Sequence, residues 1–331
     1  MSIREVHKKR KSLSGKPTIV LTFFACLACW LTSYFYLVGF PASAGTAVYP
    51  LWNLMLDFPA NPTVAYLLGV ILSITIAFVI QHINDTDMIV GERTNLPFTL
   101  FSLMAAAAYG MHPFNEASIA LLLLVLAVNS LFKSYQKPES TGSMFNAGVY
   151  IAVASLFVPR MLWFILLLWM GMYRFSMFNI KTFAASLTGV GSTFLLLFTV
   201  CLMIDDCSIA TSLFSSLIDF EVYTFEMYHI GLSAVILLTI IAFLFISADA
   251  FNNSVRVRQM RFFMANMTFF IGLMIVLYKN DYDTFSAALF IPSSILIACF
   301  IESLRFYMRF IAYYLFITFG LLFYFYGLWN F

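Results

Sequence analysis

Charged side chains are scarce in this sequence: Asp, Glu, Lys and Arg make up only 10% of its 331 residues. Soluble globular domains carry roughly 25% charged residues. With 62% hydrophobic residues, the chain has too little polar surface to cover its apolar content in water. The composition therefore excludes a water-soluble protein and leaves no soluble domain of useful size.

Cysteines, histidines and catalytic motifs are also sparse. The five Cys are odd in number, and most lie inside or at the end of apolar runs, so neither a disulfide framework nor a metal site is predicted. Cys26 and Cys29 have C-x-x-C spacing, but inside an apolar run this spacing predicts two small packing residues on one helix face. The patterns H-E-x-x-H, G-x-S-x-G and Walker A are absent. Protease, hydrolase, ATPase and haem functions have no support, and we expect no metal and no cofactor.

Long apolar runs dominate what is present. A transmembrane helix needs about 20 apolar residues. By this measure we predict an all-α, polytopic helical membrane protein with about 11 transmembrane or partly re-entrant segments. The segments lie at 18–38, 63–82, 97–111, 117–132, 145–158, 161–173, 184–204, 229–247, 262–278, 284–301 and 310–330.

Lys and Arg are distributed very unevenly along the chain. If the segments alternate and the N-terminus is cytoplasmic, only Arg160 and Lys279 of the 18 basic residues fall on the far side. This bias follows the positive-inside rule. We predict a multi-pass protein of the bacterial inner (cytoplasmic) membrane, with the N-terminus cytoplasmic and the C-terminus exterior. Residues 1–17 form a basic cytoplasmic N-terminus, and 18–331 form a single integral membrane domain.

The first apolar run has a competing interpretation as a signal peptide. The letters ASA at Ala42 to Ala44 resemble a cleavage site. The apolar run that precedes them exceeds the roughly 7–15 residues of a signal-peptide core, so a retained helix is favoured.

Three predicted segments, at 97–111, 145–158 and 161–173, are short for a membrane span. Short runs meet at MHPFNE (Met111 to Glu116) and at VPR (Val158 to Arg160). Each pair forms either two tilted spans or a hairpin that turns back before crossing. Non-helical backbone at membrane depth needs a cover of protein or a water-filled cavity, so re-entrant turns predict a cavity nearby.

Four residues on the predicted exterior side form the candidate site. Asp57, His112 and Glu116 are candidate catalytic acids or bases, and Arg160 is a candidate substrate-binding residue, because Arg offers a planar fork to phosphate oxygens. This combination suits transfer of a sugar from a polyprenyl phosphate. The alternative is structural, with Arg160 reaching the lipid head groups and the acids exposed in loops.

The stretch NDTDMIVGERTNLPFTLF (Asn84 to Phe101) is the densest group of ionisable residues between two apolar runs. Asp85 and Asp87 have the spacing of carboxylates that share a divalent cation in some glycosyltransferases. Arg93 is a candidate cytoplasmic anion-binding residue. The simpler interpretation is a solvated turn in which Thr94 or Asn95 caps the next helix and Pro97 lies in its first turn.

Several short motifs carry a resemblance to a known family. They are IND (83–85), ERTNLPFTLFSL (92–103), LAVNSLFKSY (126–135) and FNAGVYIAVASLFVPRMLWFIL (145–166), followed by MYRF at 172–175. In this order they resemble an uncharacterised family of polytopic inner-membrane proteins from Bacteroidota, mainly over residues 80–200. The resemblance implies location and topology, and it carries no catalytic residue.

Three classes of function remain open from the sequence. The first is the handling of an envelope lipid or a polyprenyl-linked saccharide at the exterior face. The second is a lipid transporter or flippase, and the third is a non-catalytic scaffold or assembly subunit. The expected partners are the lipid bilayer and a lipid-linked phosphate or saccharide, with no nucleic acid; the oligomeric state is open.

Overall fold

The computed structural model is helical throughout the part of the chain that it describes, and no strand occurs there. The described residues are 16–37, 50–53, 61–91, 93–108, 111–204, 213–217, 219, 230–248 and 254–329. The predicted all-helical class is confirmed for these residues. Whether 18–331 is a single domain stays a prediction.

The helices follow the apolar runs closely. They are α1 (Lys16–Leu37), α2 (Pro50–Asn53), α3 (Pro62–Asp87), α4 (Leu96–Ala107), α5 (Glu116–Lys133), α6 (Thr141–Phe157), α7 (Phe164–Arg174), α8 (Ile180–Ile204), α9 (Ile230–Ala248), α10 (Val255–Leu277), α11 (Tyr282–Ser303) and α12 (Phe306–Trp329). Each predicted segment coincides with a helix, and α2 is an additional helix of four residues. Short 3₁₀ turns at Pro159–Trp163 and Lys279–Asp281 join α6 to α7 and α10 to α11.

Eight of these helices are long and apolar enough to cross a membrane: α1, α3, α5, α8, α9, α10, α11 and α12. The others are shorter, because α4 has 12 residues, α6 has 17 and α7 has 11. At about 1.5 Å per residue, α4 covers only about 18 Å of a hydrocarbon layer roughly 30 Å thick. Among the described residues, the helices therefore support a membrane protein with eight candidate spans, and the number of the eleven predicted segments that cross the membrane stays a prediction.

Helix α11 is the centre of the bundle. In its candidate span 94% of the residues are buried, against 22% for α1, α8 and α12. It packs against α4, α9 and α10, and its side chains Phe285, Leu289 and Ile295 are fully buried. The outer helices instead expose apolar side chains around this core, as helices facing lipid do.

Glycines bring α6 and α8 unusually close together. A Cβ atom on Gly148 of α6 would lie 2.3 Å from the Ser186 carbonyl oxygen, and one on Gly189 of α8 would lie 2.4 Å from the Phe145 carbonyl oxygen. Both distances are far below van der Waals contact. Small residues at such positions let helix backbones approach in a membrane, where packing rather than hydrophobic burial drives association.

Contacts between loops and helix ends show which of them lie at the same end of the bundle. Arg256 pairs with Asp87, and Arg261 Nε donates to the Ile89 carbonyl at 2.8 Å, so the start of α10 meets the loop after α3. Arg174 at the end of α7 lies over the Phe262 ring. We call this the Arg261 end. The turns that contain His112, Arg160 and Asp281 lie at the other, which we call the Arg160 end.

The loop between α3 and α4 is a structured turn at the Arg261 end. Asn84 Oδ1 accepts from the Val90 N–H at 3.0 Å, and Met88 and Gly91 adopt positive φ values of 51° and 98°. Thr94 Oγ1 accepts from the Leu96 N–H at 3.3 Å, and Pro97 lies in the first turn of α4. Glu92 lies outside the described residues. The stretch forms a turn and a helix start, and its N-cap residue is Asn95, whose side chain makes no capping hydrogen bond.

We expect Gly189→Ala to lower the melting temperature of the purified protein in detergent. The added methyl group meets the backbone of α6, and overpacking costs about 1–3 kcal/mol. Gly191→Ala is the matched control on the same helix, because a Cβ there has nothing within 4 Å. Equal melting temperatures for the two variants would contradict the close approach of α6 and α8.

Candidate functional site

Residues His112 and Phe114, in the turn between α4 and α5, pack against the first two turns of α3. The Phe114 N–H donates to the Ala65 carbonyl at 3.0 Å. A Cβ atom on Gly69 would lie 2.2 Å from the His112 carbonyl oxygen, so glycine is required for the contact. The turn therefore lies beside the second turn of α3, where protein and not water covers it.

His112 is completely buried in this turn and both ring nitrogens are hydrogen-bonded. Nε2 lies 2.9 Å from the Ala106 carbonyl oxygen, which only accepts, so Nε2 carries the proton. Nδ1 lies 2.6 Å from Ser33 Oγ, and the Tyr66 hydroxyl donates to Ser33 Oγ. The chain Tyr66–Ser33–His112–Ala106 thus defines one neutral tautomer.

The surroundings of His112 favour this neutral ring. Burial lowers the pKa of His112 from 6.5 to about 4, against a smaller opposing effect of the backbone carbonyls near Ala106. The ring stacks on Trp30 of α1 at 4.2 Å between centroids. His112 therefore joins α1, α3 and α4, and this geometry favours a structural role over general-base catalysis.

Arg160 lies in the 3₁₀ turn between α6 and α7, where it is buried and paired. Its Nη1 lies 2.8 Å from Asp281 Oδ2, and the two side chains are only 8% and 1% exposed. The guanidinium carbon lies 4.7 Å from the centre of the Tyr278 ring. Burying such a pair is stable only when further hydrogen bonds satisfy it.

Backbone carbonyls supply these further hydrogen bonds. Arg160 Nε donates to the Ser216 carbonyl at 3.2 Å, and Nη2 donates to the Asp219 carbonyl at 3.4 Å. The Tyr278 hydroxyl donates to the Leu217 carbonyl at 2.9 Å. Arg160 and Tyr278 together hold residues 216, 217 and 219 against the end of the bundle.

Glu116 is a further carboxylate at the same end of the bundle as the Arg160–Asp281 pair. Glu116, the first residue of α5, lies within electrostatic range of Asp281 and Asp283. We call Arg160, its partner Asp281 and Glu116, which interacts electrostatically with Asp281, the Arg160 cluster. The hydrogen-bond partners of His112 are different residues, on α1, α3 and α4.

The other predicted site residues are placed as follows. Asp57 lies outside the described residues. Arg93 is exposed in the loop at the Arg261 end, away from the Arg160 cluster. Asp85 accepts from Gln81 Nε2 at 2.9 Å, whereas Asp87 pairs with Arg256, so their carboxylates have separate partners. Among the described residues, no group of three His, Cys, Asp or Glu side chains is arranged to hold a metal ion.

The fold is that of a helical membrane protein with polar groups buried at both ends of its bundle. The chain belongs to a family of unknown function, DUF6427, whose model matches residues 50–330. The predicted resemblance to an uncharacterised family is therefore confirmed, and the match extends well beyond residues 80–200. The origin in Bacteroidota stays a prediction. No curated protein and no solved structure matches the sequence.

We expect the protein to lose stability as the pH falls from about 6.5 toward 4. The unfolded His112 binds a proton in this range while the folded ring stays neutral, so the neutral ring's contribution is complete above 6.5 and is lost below it. The loss reaches up to about 3 kcal/mol, because each pKa unit is worth about 1.36 kcal/mol.

Melting temperatures of the wild type, His112→Gln and the control His82→Gln between pH 4 and 8 measure this effect. His82 is exposed at the Arg261 end. The slope should flatten for His112→Gln only; an unchanged slope would contradict a neutral, buried His112.

Proposed function

We propose that this protein is a multi-pass protein of a bacterial inner membrane that handles an envelope lipid or polyprenyl-linked saccharide at its exterior face. The observation that carries the proposal is the buried Arg160–Asp281 pair with Glu116 and Asp283 nearby. Ionisable groups buried in a membrane protein are costly, and they commonly mark a substrate path.

The geometry around Arg160 suits exchange of a carboxylate for a phosphate. Nε and Nη2 donate to the carbonyls of Ser216 and Asp219, and Nη1 contacts Asp281. The guanidinium is therefore oriented before any ligand arrives, which lowers the cost of binding. A phosphate of a lipid carrier takes the place of Asp281 on Nη1, and the displaced Asp281 carboxylate serves as a base.

A scaffold role is the second candidate, and a specific observation favours it. The Arg160 guanidinium already serves as a clamp for residues 216 and 219, and His112 already links three helices. Both residues therefore have a structural role that requires no substrate. In this alternative the charged loops are contacts for partner proteins.

We also propose the orientation with the Arg261 end in the cytoplasm, the N-terminus inside and the C-terminus outside. The contacts of Arg256, Arg261 and Arg174 support it, because they bring basic loops distant in sequence to one end. The positive-inside rule assigns such an end to the cytoplasm.

To test the function, Arg160 and Asp281 are replaced together in the producing bacterium by Arg160→Gln and Asp281→Asn. Removing Arg160 alone leaves a buried, unpaired carboxylate at a cost of about 3–5 kcal/mol, whereas the neutral pair avoids that penalty. We expect a folded protein with an altered profile of envelope glycans or lipid-linked precursors.

Asn280→Ala, in the exposed part of the same turn, is the matched control. Membrane abundance and melting temperature establish that each variant folds. A folded double variant with the wild-type envelope profile would exclude lipid or saccharide handling at this cluster and favour the scaffold.

The orientation is tested by labelling single cysteines in a background with the five native Cys removed. Thr86→Cys at the Arg261 end and Asn280→Cys at the Arg160 end are both at exposed positions. In intact spheroplasts we expect a membrane-impermeant maleimide to label position 280 only, and position 86 after lysis. Labelling of position 86 in intact cells would reverse the orientation.

A further inference from the structure

Arg174, the last residue of α7, has an unsatisfied hydrogen-bond donor at the Arg261 end. Its guanidinium carbon lies 4.7 Å from the centre of the Phe262 ring. Its Nε is buried and has no hydrogen-bond partner in the described part of the chain. A buried donor on a charged group without a partner is costly, and native proteins rarely leave one so.

Three other arginines show how this chain usually satisfies the same atom. Nε of Arg160, Arg261 and Arg309 donates to the carbonyls of Ser216, Ile89 and Leu304, respectively. Each of these carbonyls belongs to the same chain: Ile89 and Leu304 lie in turns, and Ser216 lies in the short helical stretch 213–217. Arg174 differs from them, which indicates that its acceptor comes from outside the described chain.

Gln259 supplies an unsatisfied acceptor on the neighbouring helix. Its Oε1 is buried and likewise lacks a partner among the described residues. Gln259 is one helical turn before Phe262 and Phe263 of α10, and these two rings contact Arg174 and Gly171 of α7. Residues three and four apart share a helix face, so Gln259 lies on the side of α10 that faces the end of α7.

The charge around these two residues is positive. Arg258 precedes Phe262 by four residues on α10, and Lys181 is exposed in the first turn of α8. In the described structure, no carboxylate forms an ion pair with Arg174, Arg258 or Lys181. An anion therefore complements this region.

The surface next to Arg174 is apolar on both helices. Tyr173 of α7 is 79% exposed, and Phe269 of α10, two turns from Phe262, is 77% exposed. Leu166 and Met170 of α7 continue the exposed apolar surface toward the other end of the bundle. A ligand that suits this surface has an anionic head and a long apolar part.

We propose that Arg174, Gln259 and Phe262 form a binding site for an anionic glycerophospholipid whose headgroup carries a hydroxyl, with phosphatidylglycerol as the simplest example. Arg174 Nε donates to a phosphate oxygen, and the headgroup hydroxyl donates to Gln259 Oε1. Phe262 orients the guanidinium by a cation–π contact. One acyl chain lies along Tyr173 and Phe269. Basic pockets between membrane helices bind anionic lipids in this way.

The test is native mass spectrometry of the full chain, purified in a non-ionic detergent and titrated with palmitoyl-oleoyl phosphatidylglycerol or, in parallel, with palmitoyl-oleoyl phosphatidylcholine. The variants are Arg174→Gln, Gln259→Leu and the control Arg305→Gln, which removes a positive charge from an exposed position. Thermal melting in the same detergent identifies any variant that does not fold.

We expect wild-type protein to retain one phosphatidylglycerol more tightly than phosphatidylcholine. Arg174→Gln should weaken phosphatidylglycerol binding at least about tenfold, because a hydrogen bond to a charged group is lost. Gln259→Leu should remove the preference over phosphatidylcholine, and Arg305→Gln should change neither. Glycerol 3-phosphate, which lacks acyl chains, should compete only weakly.

Equal binding of phosphatidylglycerol by wild type and Arg174→Gln would overturn the proposal. Equal losses in Arg174→Gln and Arg305→Gln would also overturn it, because they would indicate attraction to overall charge. A dimer that dissociates in Arg174→Gln, with lipid binding unchanged, would assign this surface to a second copy of the chain. This site lies at the opposite end from the Arg160 cluster and does not depend on the function proposed there.

Discussion

The structure depends on how it covers the backbone of the two turns that follow α4 and α6. These helices have 12 and 17 residues and are shorter than the eight candidate spans. Backbone that turns where water does not reach it needs hydrogen-bond partners and cover from the protein itself. In this bundle, the side chains of His112 and Arg160 hold neighbouring segments of the chain over the two turns.

The two turns use different chemistry for the same purpose. His112 covers the first turn through neutral hydrogen bonds, with Ser33 of α1 and the Ala106 carbonyl as ring partners. Arg160 covers the second turn through charge, since its guanidinium binds Asp281 and the carbonyls of residues 216 and 219. A neutral ring suits a site enclosed by helices, whereas a charged pair needs the extra carbonyls to offset its desolvation.

Most of the helices were predictable from the sequence, because a run of apolar residues is a local signal. The positions of α1, α3 and α8 to α12 follow from it directly. The partners of His112 were not predictable, because Ser33 and Tyr66 are 79 and 46 residues away and look like ordinary helix residues. Residues so far apart in sequence form no recognisable motif, and they come together only when the helices pack.

The Arg160–Asp281 pair could be predicted only in part from the sequence. Alternation of the segments assigns both residues to one side of the membrane. The letters YKNDYDTF (Tyr278 to Phe285) indicate a polar turn on that side. The pairing itself depends on how α6, α7, α10 and α11 pack, which apolar runs do not encode. The contacts to residues 216 and 219 involve backbone carbonyls, which every residue has, so no side-chain pattern predicts them.

The atoms of Arg160 separate the two functional interpretations. A scaffold uses Nε and Nη2 to hold residues 216 and 219 in place. Handling of a lipid-linked phosphate also needs the bond from Nη1 to Asp281 to be exchangeable. A structural clamp also needs Asp281, because a guanidinium buried without its carboxylate would be strongly destabilising. Asp281 therefore suits both interpretations as the partner of Arg160, and they differ in whether a phosphate takes its place on Nη1.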